Sequence, residues 1–302
     1  MTTTRLWIAG ARPRTLPAAL APVLVGTAVA VWDGGAAWDR ALLALLVALA
    51  LQVGVNYAND YSDGIRGTDA ERVGPVRLVG QGLAEPAAVK RAALLSFAVA
   101  GSAGLVLVLL SGLWWLLLVG AAAIVAAWTY TGGPRPYGYA GLGEIFVFVF
   151  FGLVAVGGTA AVQVGLISAL AWVCGVGVGA LSCAILVVNN LRDIPGDTVA
   201  GKRTLAVRIG DPATRRLYAG LVGVALATPA AIAALGFVAP TAWPAAALLG
   251  LGAVPLAIQP LRDVRLGARG PALVAVLVAT GRLLLVYGVL LAAGIAIGAL
   301  TT

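Results

Sequence analysis

The chain contains no histidine. That removes the side chain used most often as a general base near neutral pH and as a ligand for zinc or haem. Cysteine is almost absent: Cys174 and Cys183 lie in one apolar run, form no metal-ligand spacing, and read as small packing residues. Charge is scarce too. Charged residues are 11% of the 302, against roughly a quarter in an ordinary soluble domain. Nor is there the period-two alternation of a membrane barrel strand. Apolar residues make up 61% of the chain. These features point to an all-α, polytopic membrane protein of one domain, 1–302.

Nine apolar runs are long enough to cross about 30 Å of hydrocarbon as helices. They cover approximately 16–32, 41–59, 92–111, 113–130, 143–164, 168–190, 217–238, 242–260 and 272–299. Gly and Ala are frequent inside them, as in Gly175-Val176-Gly177-Val178-Gly179-Ala180, which predicts a tight bundle around a central cavity. The first run is not a cleavable signal peptide. Arg5, Arg12 and Arg14 precede it, but no small-residue cleavage site ends it and similar runs follow.

The net charge of +8 would suggest nucleic acid in a soluble protein; here it reports topology, and no nucleic-acid partner is expected. The N-terminus and the loops after runs 2, 4, 6 and 8 hold 18 of the 20 Lys and Arg. The positive-inside rule then places the N-terminus in the cytoplasm and the C-terminus outside, with an odd number of spans. Two cytoplasmic loops, about 60–91 and 189–216, are unusually long and hold eight of the twelve acidic residues. Both follow an even-numbered run and open with an acidic cluster, a weak internal repeat.

The first cluster reads Asn56-Tyr57-Ala58-Asn59-Asp60-Tyr61-Ser62-Asp63, and the second Asn189-Asn190-Leu191-Arg192-Asp193-Ile194-Pro195-Gly196-Asp197. Asn59 and Asp63 stand four apart, as do Asp193 and Asp197, so on a helix each pair shares one face. Together with Asp60 they form an all-oxygen ligand set, which suits hard Mg²⁺ with phosphate oxygens completing the shell. Asp69 follows in the same loop as a further candidate. Pro195 predicts that the second helix bends or breaks there. Basic residues follow both clusters: Arg66, Arg72 and Arg77, then Lys202, Arg203 and Arg208. Metal-bound carboxylates beside Lys and Arg suit a diphosphate, and a lipid diphosphate suits a membrane enzyme. Asn56, Asn190 and Arg135 join this diphosphate-binding set. A separate feature is Arg282 inside the ninth run, expected to pair with a carboxylate, meet substrate in the cavity or bond helix carbonyls. Gln52 and Gln163 read as interhelical hydrogen-bond glue.

At these residues the sequence resembles the UbiA superfamily of intramembrane prenyltransferases. Asn59-Asp60-x-x-Asp63 and Asp193-x-x-x-Asp197 match its two aspartate-rich motifs in type, order and place along nearly the whole chain. Further stretches resemble the branch that acts on 1,4-dihydroxy-2-naphthoate in menaquinone synthesis. They are Asp63-x-x-x-Gly67-x-Asp69, Tyr130-Thr131-Gly132-Gly133-Pro134, Gly141-Leu142-Gly143-Glu144, Asn189-Asn190-x-Arg192-Asp193 and Gly201-Lys202-Arg203-Thr204-Leu205-Ala206-Val207-Arg208.

The resemblance implies nine transmembrane helices in a bacterial plasma membrane and an active site toward the cytoplasm. It also implies transfer of a polyprenyl group from its diphosphate to the naphthoate ring with loss of the ring carboxylate. Asn59 and Asp63 then correspond to ligands of one Mg²⁺, Asp193 and Asp197 to ligands of another, and Lys202 lies near the diphosphate. Asp63, Asp193, Lys202 and Tyr130 are the candidate catalytic residues. Many relatives carry a lysine four residues after the tyrosine; here Pro134 stands there and Arg135 follows. Tyr130, Tyr57 or Tyr61 would offer an aromatic face to an allylic cation. Two other readings stay open on residues alone: a sister prenyltransferase using 4-hydroxybenzoate, haem or a sugar phosphate, and an ion-coupled secondary transporter.

Overall fold

The computed structural model describes residues 3–67, 76–239 and 243–301, and among these every regular element is helical. In chain order the helices are α1 (Thr4–Ala11), α2 (Pro17–Trp32), α3 (Trp38–Ile65), α4 (Pro86–Ser111) and α5 (Leu116–Thr129). After them come α6 (Gly143–Val164), α7 (Ala169–Val199), α8 (Leu205–Val238), α9 (Ala245–Arg265) and α10 (Pro271–Thr301).

Local chemistry sets the boundaries. Proline opens α2, α4 and α10, where its missing N–H costs nothing. Ser168 caps α7 by accepting the Ala171 N–H at 3.3 Å, and Thr204 caps α8 by accepting that of Val207 at 3.4 Å. Gly112 and Gly165 end α4 and α6 at φ 70° and 84°, a left-handed conformation that favours glycine.

Seven of these helices are long and apolar enough to cross a membrane, and the bent unit of α1 and α2, with 50° between its arms, makes an eighth. The fourth expected span is α5, whose 14 residues rise about 21 Å, less than a full hydrocarbon width. The outer surface is apolar: Leu42, Leu95, Leu118 and Phe237 are exposed, and Trp38, Trp114 and Trp115 are exposed beside helix ends. α7 is the hub. Some 72% of its most apolar stretch is buried, against 28–44% for the other long helices, and it packs on α6, α8 and α10.

Three expectations are corrected. Residues 189–216 are not a long loop: α7 runs on to Val199, and only Ala200–Thr204 separate it from α8. Pro195 does not break α7, because it sits within the last turn and a half and forfeits a single hydrogen bond there. The bend comes instead at Gly210, φ 77°, near the start of α8. Arg282 is exposed and outside the central cavity, and among the described residues no carboxylate pairs with it. Its neighbour Gly281 lies against the Arg14 carbonyl oxygen, which sets this part of α10 beside the elbow of α1 and α2.

The interhelical glue is present. Gln52 donates to Thr15 Oγ1 at 2.8 Å, and Gln163 donates to Thr27 Oγ1 at 3.2 Å. α6 widens into a π-helical stretch at Phe148–Val154, and there Gly152 meets α7 backbone to backbone. A Cβ on Gly152 would stand 2.6 Å from the Gly175 oxygen and the Gly179 Cα, with no flexible side chain to yield. Gly152→Ala is therefore expected to lower stability by about 1–3 kcal/mol. Gly223→Ala, whose Cβ meets nothing within 4 Å, should not. Thermal unfolding of the two variants in one detergent checks the contrast.

Candidate active site

One cavity of about 920 Å³ runs into the bundle, and both sequence clusters open onto it. Because α3 continues to Ile65 and α7 to Val199, each cluster stands on a helix rather than in a loop. Asn56, Asn59 and Asp63 line the cavity from α3; Asn189, Asn190, Asp193 and Asp197 line it from α7. The rest of the cavity is mostly apolar, with Leu51, Val108, Ile124, Phe150 and Val154 among its walls.

Buried carboxylates need opposite charge or donors, and each is supplied from close by. Asp63 Oδ1 accepts from Tyr139 Oη at 2.5 Å and from Lys202 Nζ at 3.2 Å. Lys202 also stands over the Tyr139 ring, 4.8 Å from its centroid, with the Arg66 guanidinium 5.5 Å from that centroid. Asp193 is clasped by Arg192 through two bonds, Nε to Oδ1 at 2.7 Å and Nη2 to Oδ2 at 2.8 Å. The same Nη2 donates to Asn189 Oδ1 at 2.9 Å. Asn59 Oδ1 accepts from Thr131 Oγ1 at 2.8 Å. The short turn after α7 is pinned at both ends. Lys202 N–H donates to the Asp197 carbonyl at 2.8 Å, and Arg203 N–H donates to the Tyr139 carbonyl at 3.0 Å.

Tyr130 lines the cavity as part of an aromatic wall. Tyr137 stands edge-on to it at 5.5 Å and stacks on Phe146 at 4.0 Å, and Phe150 follows at 6.2 Å from Phe146. Burial pushes the Tyr137 phenol up from its ordinary value, so it stays neutral. Tyr57 and Tyr61 lie elsewhere: Tyr57 Oη donates to the Trp7 carbonyl at 2.8 Å, and Tyr61 packs beside Trp128.

Other expected residues have different places. Asp60 is fully buried outside the cavity and accepts the backbone N–H groups of Leu78 and Val79. Arg66 does not line the cavity but donates to the carbonyls of Thr131 and Gly133, holding the loop after α5. Arg135 and Arg203 are exposed and outside the cavity, whereas Arg77 and Lys202 are buried and line it. Arg72 and Asp69 lie outside the described residues. The asparagines are braces as well as lining. Asn56 Nδ2 donates to the Ala11 carbonyl at 2.9 Å and to Thr15 Oγ1 at 3.0 Å, and Asn190 Nδ2 donates to Glu144 Oε1 at 3.0 Å. Tyr139 and Thr131 come from the loop after α5, and no sequence spacing marked them as partners of α3. Arg192 stood inside a quoted motif, but its clasp on Asp193 has no sequence signal.

Among the described residues no three acidic side chains converge on one point. The carboxylate and carboxamide oxygens come instead as pairs on two helices, Asn59 with Asp63 and Asp193 with Asp197, all facing one cavity. That all-oxygen set fits a hard divalent cation whose remaining positions are filled by ligand oxygens.

Comparison with known proteins agrees with this arrangement. The UbiA prenyltransferase family profile matches residues 19–269. The 1,4-dihydroxy-2-naphthoate octaprenyltransferase of Mycobacterium tuberculosis is 54% identical over 295 residues, covering 98% of each chain. Among solved structures, the apo UbiA homolog from Aeropyrum pernix K1 superposes with a TM-score of 0.68 at 17% identity, over 94% of this chain and 97% of that one. The UbiA homolog from Archaeoglobus fulgidus bound to GPP and Mg²⁺ superposes with a TM-score of 0.60 at 14% identity, over 95% and 99%. The fold is therefore shared across a wide sequence distance, and the chain belongs to the UbiA prenyltransferase family.

Proposed function

We propose that this prenyltransferase moves a polyprenyl group from its diphosphate to 1,4-dihydroxy-2-naphthoate, releasing diphosphate and CO₂ and giving demethylmenaquinone. The geometry behind this reading is one cavity with paired acids, Lys202 and Arg192 at its polar end and apolar walls beyond. The acceptor is supported by the relative that shares 54% of its residues. Asn59 with Asp63, and Asp193 with Asp197, are the residues that would hold Mg²⁺. When bound, Mg²⁺ neutralises diphosphate oxygens and so favours their departure.

The chain's own residues do the rest. Lys202 and Arg77 supply positive charge where the leaving group gathers negative charge, and they are fixed in place before the reaction begins. As the carbon–oxygen bond breaks, the electron pair leaves with the diphosphate and an allylic cation remains. The aromatic wall of Tyr130, Tyr137 and Phe146 presents electron-rich faces to that cation. The apolar walls keep water away from it and accommodate the isoprenoid tail. The ring carbon that bears the carboxylate forms the new carbon–carbon bond. The bond from that carbon to the carboxylate then breaks: CO₂ leaves and the pair of the broken bond returns to the ring, so no base has to remove a proton there. A chain without histidine is consistent with this chemistry.

Charge alternation in the sequence supports nine spans, a cytoplasmic N-terminus and a site facing the cytoplasm of a bacterial cell membrane. On that reading α5, with its flanking turns, is the fourth span.

The purified protein in lipid should form prenylated product from dihydroxynaphthoate and a polyprenyl diphosphate with Mg²⁺, and EDTA should abolish it. Asp63→Ala and Asp193→Ala should each lower kcat/KM by about 100-fold or more. Undiminished product from both variants would exclude the metal assignment, and no product from the wild type would sink the reaction itself.

Lys202 and Tyr139 meet the same oxygen of Asp63 but should separate in kinetics. Lys202→Met removes the cation and should cost about 100-fold in kcat. Tyr139→Phe removes one hydrogen bond and keeps the ring, which should cost about tenfold. Steady-state kinetics that rank Tyr139→Phe as the more damaging would contradict the role given to Lys202.

A further inference from the structure

Asp60 belongs by position to the first acidic motif, yet it does not share the environment of its neighbours. One residue along a helix turns the side chain by about 100°. Asn59 and Asp63 therefore face the cavity while Asp60 faces the segment that follows α3. Its exposure is 0%. Both carboxylate oxygens are used: Oδ2 accepts the Leu78 N–H at 2.7 Å and Oδ1 accepts the Val79 N–H at 3.1 Å.

The segment held in this way is compact. Leu83 and Ala84 N–H groups both donate to the Leu78 carbonyl, at 2.8 and 2.9 Å, and Gln81 N–H donates to the Arg77 carbonyl at 3.1 Å. Its apolar side chains are fitted to the helices beneath. A Cβ on Gly10 of α1 would stand 2.7 Å from Leu78 Cδ1, and one on Gly64 of α3 would stand 2.4 Å from Val79 Cγ1. Immediately before these anchored residues comes Arg77, 5% exposed, on the wall of the cavity that also carries Asn59 and Asp63.

We propose that Asp60 is a positioning residue, not a metal ligand: it pins the Leu78 and Val79 amides and thereby delivers Arg77 to the diphosphate end of the cavity. This rests on the diphosphate reading given above. Asp60→Asn keeps the shape but offers one acceptor and turns a donor toward a backbone N–H, so the anchor loses half its purchase.

The test uses the full chain in lipid nanodiscs, with Asp60→Asn, Arg77→Ala and the double variant. Three readouts are taken: amide hydrogen exchange at Leu78 and Val79, calorimetric affinity for inorganic diphosphate with Mg²⁺, and KM for the polyprenyl diphosphate. Asp60→Asn should speed exchange at both amides and weaken diphosphate binding by about tenfold. The Mg²⁺ concentration for half-maximal activity should not change. Arg77→Ala should weaken diphosphate to a similar degree while both amides stay protected, and the double variant should bind no worse than Arg77→Ala alone. A raised Mg²⁺ requirement in Asp60→Asn with unchanged diphosphate affinity overturns the proposal and makes Asp60 a ligand. Additive losses in the double variant overturn it too. If Asp60→Asn does not fold, Arg77→Ala decides: unaltered diphosphate affinity removes the group that Asp60 is said to deliver. A wild type that binds diphosphate but prenylates no naphthoate would defeat the acceptor assignment and leave this one standing.

Discussion

The ion pair between Asp63 and Lys202 is the joint on which the polar end of the bundle depends. Its two atoms, 3.2 Å apart and both in nearly fully buried side chains, come from opposite halves of the chain. Asp63 lies in the last turn of α3, and Lys202 sits on the turn between α7 and α8. Tyr139 shares the same carboxylate oxygen, so the loop after α5 is drawn into the joint. A pair this deep repays its desolvation only if further hydrogen bonds accompany it. They do: the turn is tied by the Lys202 and Arg203 amides, and the loop by Arg66 on its carbonyls. The polar end of the cavity is thus built from three separated stretches, none of which could place its side chain alone.

Most of the fold was legible because lipid imposes a simple rule. Backbone groups in hydrocarbon must bond within their own helix, so each long apolar run names an element. Among the described residues each of the nine runs is helical over most of its length, although α5 is shorter than its run. Helix ends were less legible. The expected runs stopped at 59 and 190, yet the acidic motifs continue their helices, to Ile65 in α3 and to Val199 in α7. The reason is that these polar residues face a protected cavity and not bulk water. Pro195 misled for a related cause: a proline rule for helix interiors does not apply one turn from the end.

The site was legible in its pairs and opaque in its contacts. Spacing four apart placed Asn59 with Asp63 and Asp193 with Asp197, because helical geometry is local. Nothing local says that Tyr139 reaches Asp63, or that Arg192 turns back on the residue next to it. Nor does adjacency in a motif guarantee a shared role. Asp60 stands beside Asn59 in sequence and faces away from it in space, and Arg203 stands beside Lys202 yet is exposed while Lys202 is buried. Basic residues were the least predictable class. Of those following the two clusters, Arg66 holds a loop, Arg208 donates to the Arg203 carbonyl at 3.0 Å, and Arg77 and Lys202 alone among the described ones enter the cavity.

The balance of charge in that cavity bears on how a diphosphate is received. Arg12, Arg14, Arg77, Arg192 and Lys202 line it against the carboxylates of Asp63, Asp193 and Asp197. The excess is positive, and low-dielectric walls extend its reach. Two of the cations are already engaged with the two central aspartates, Lys202 with Asp63 and Arg192 with Asp193. With Asp63 and Asp193 holding a divalent ion, as proposed above, Lys202 and Arg192 would be free to face the anion that the cavity receives. Compensating the buried carboxylates and stabilising a leaving group would then draw on one set of side chains. Such sharing would let few ionisable groups, in a chain only 11% charged, serve both tasks.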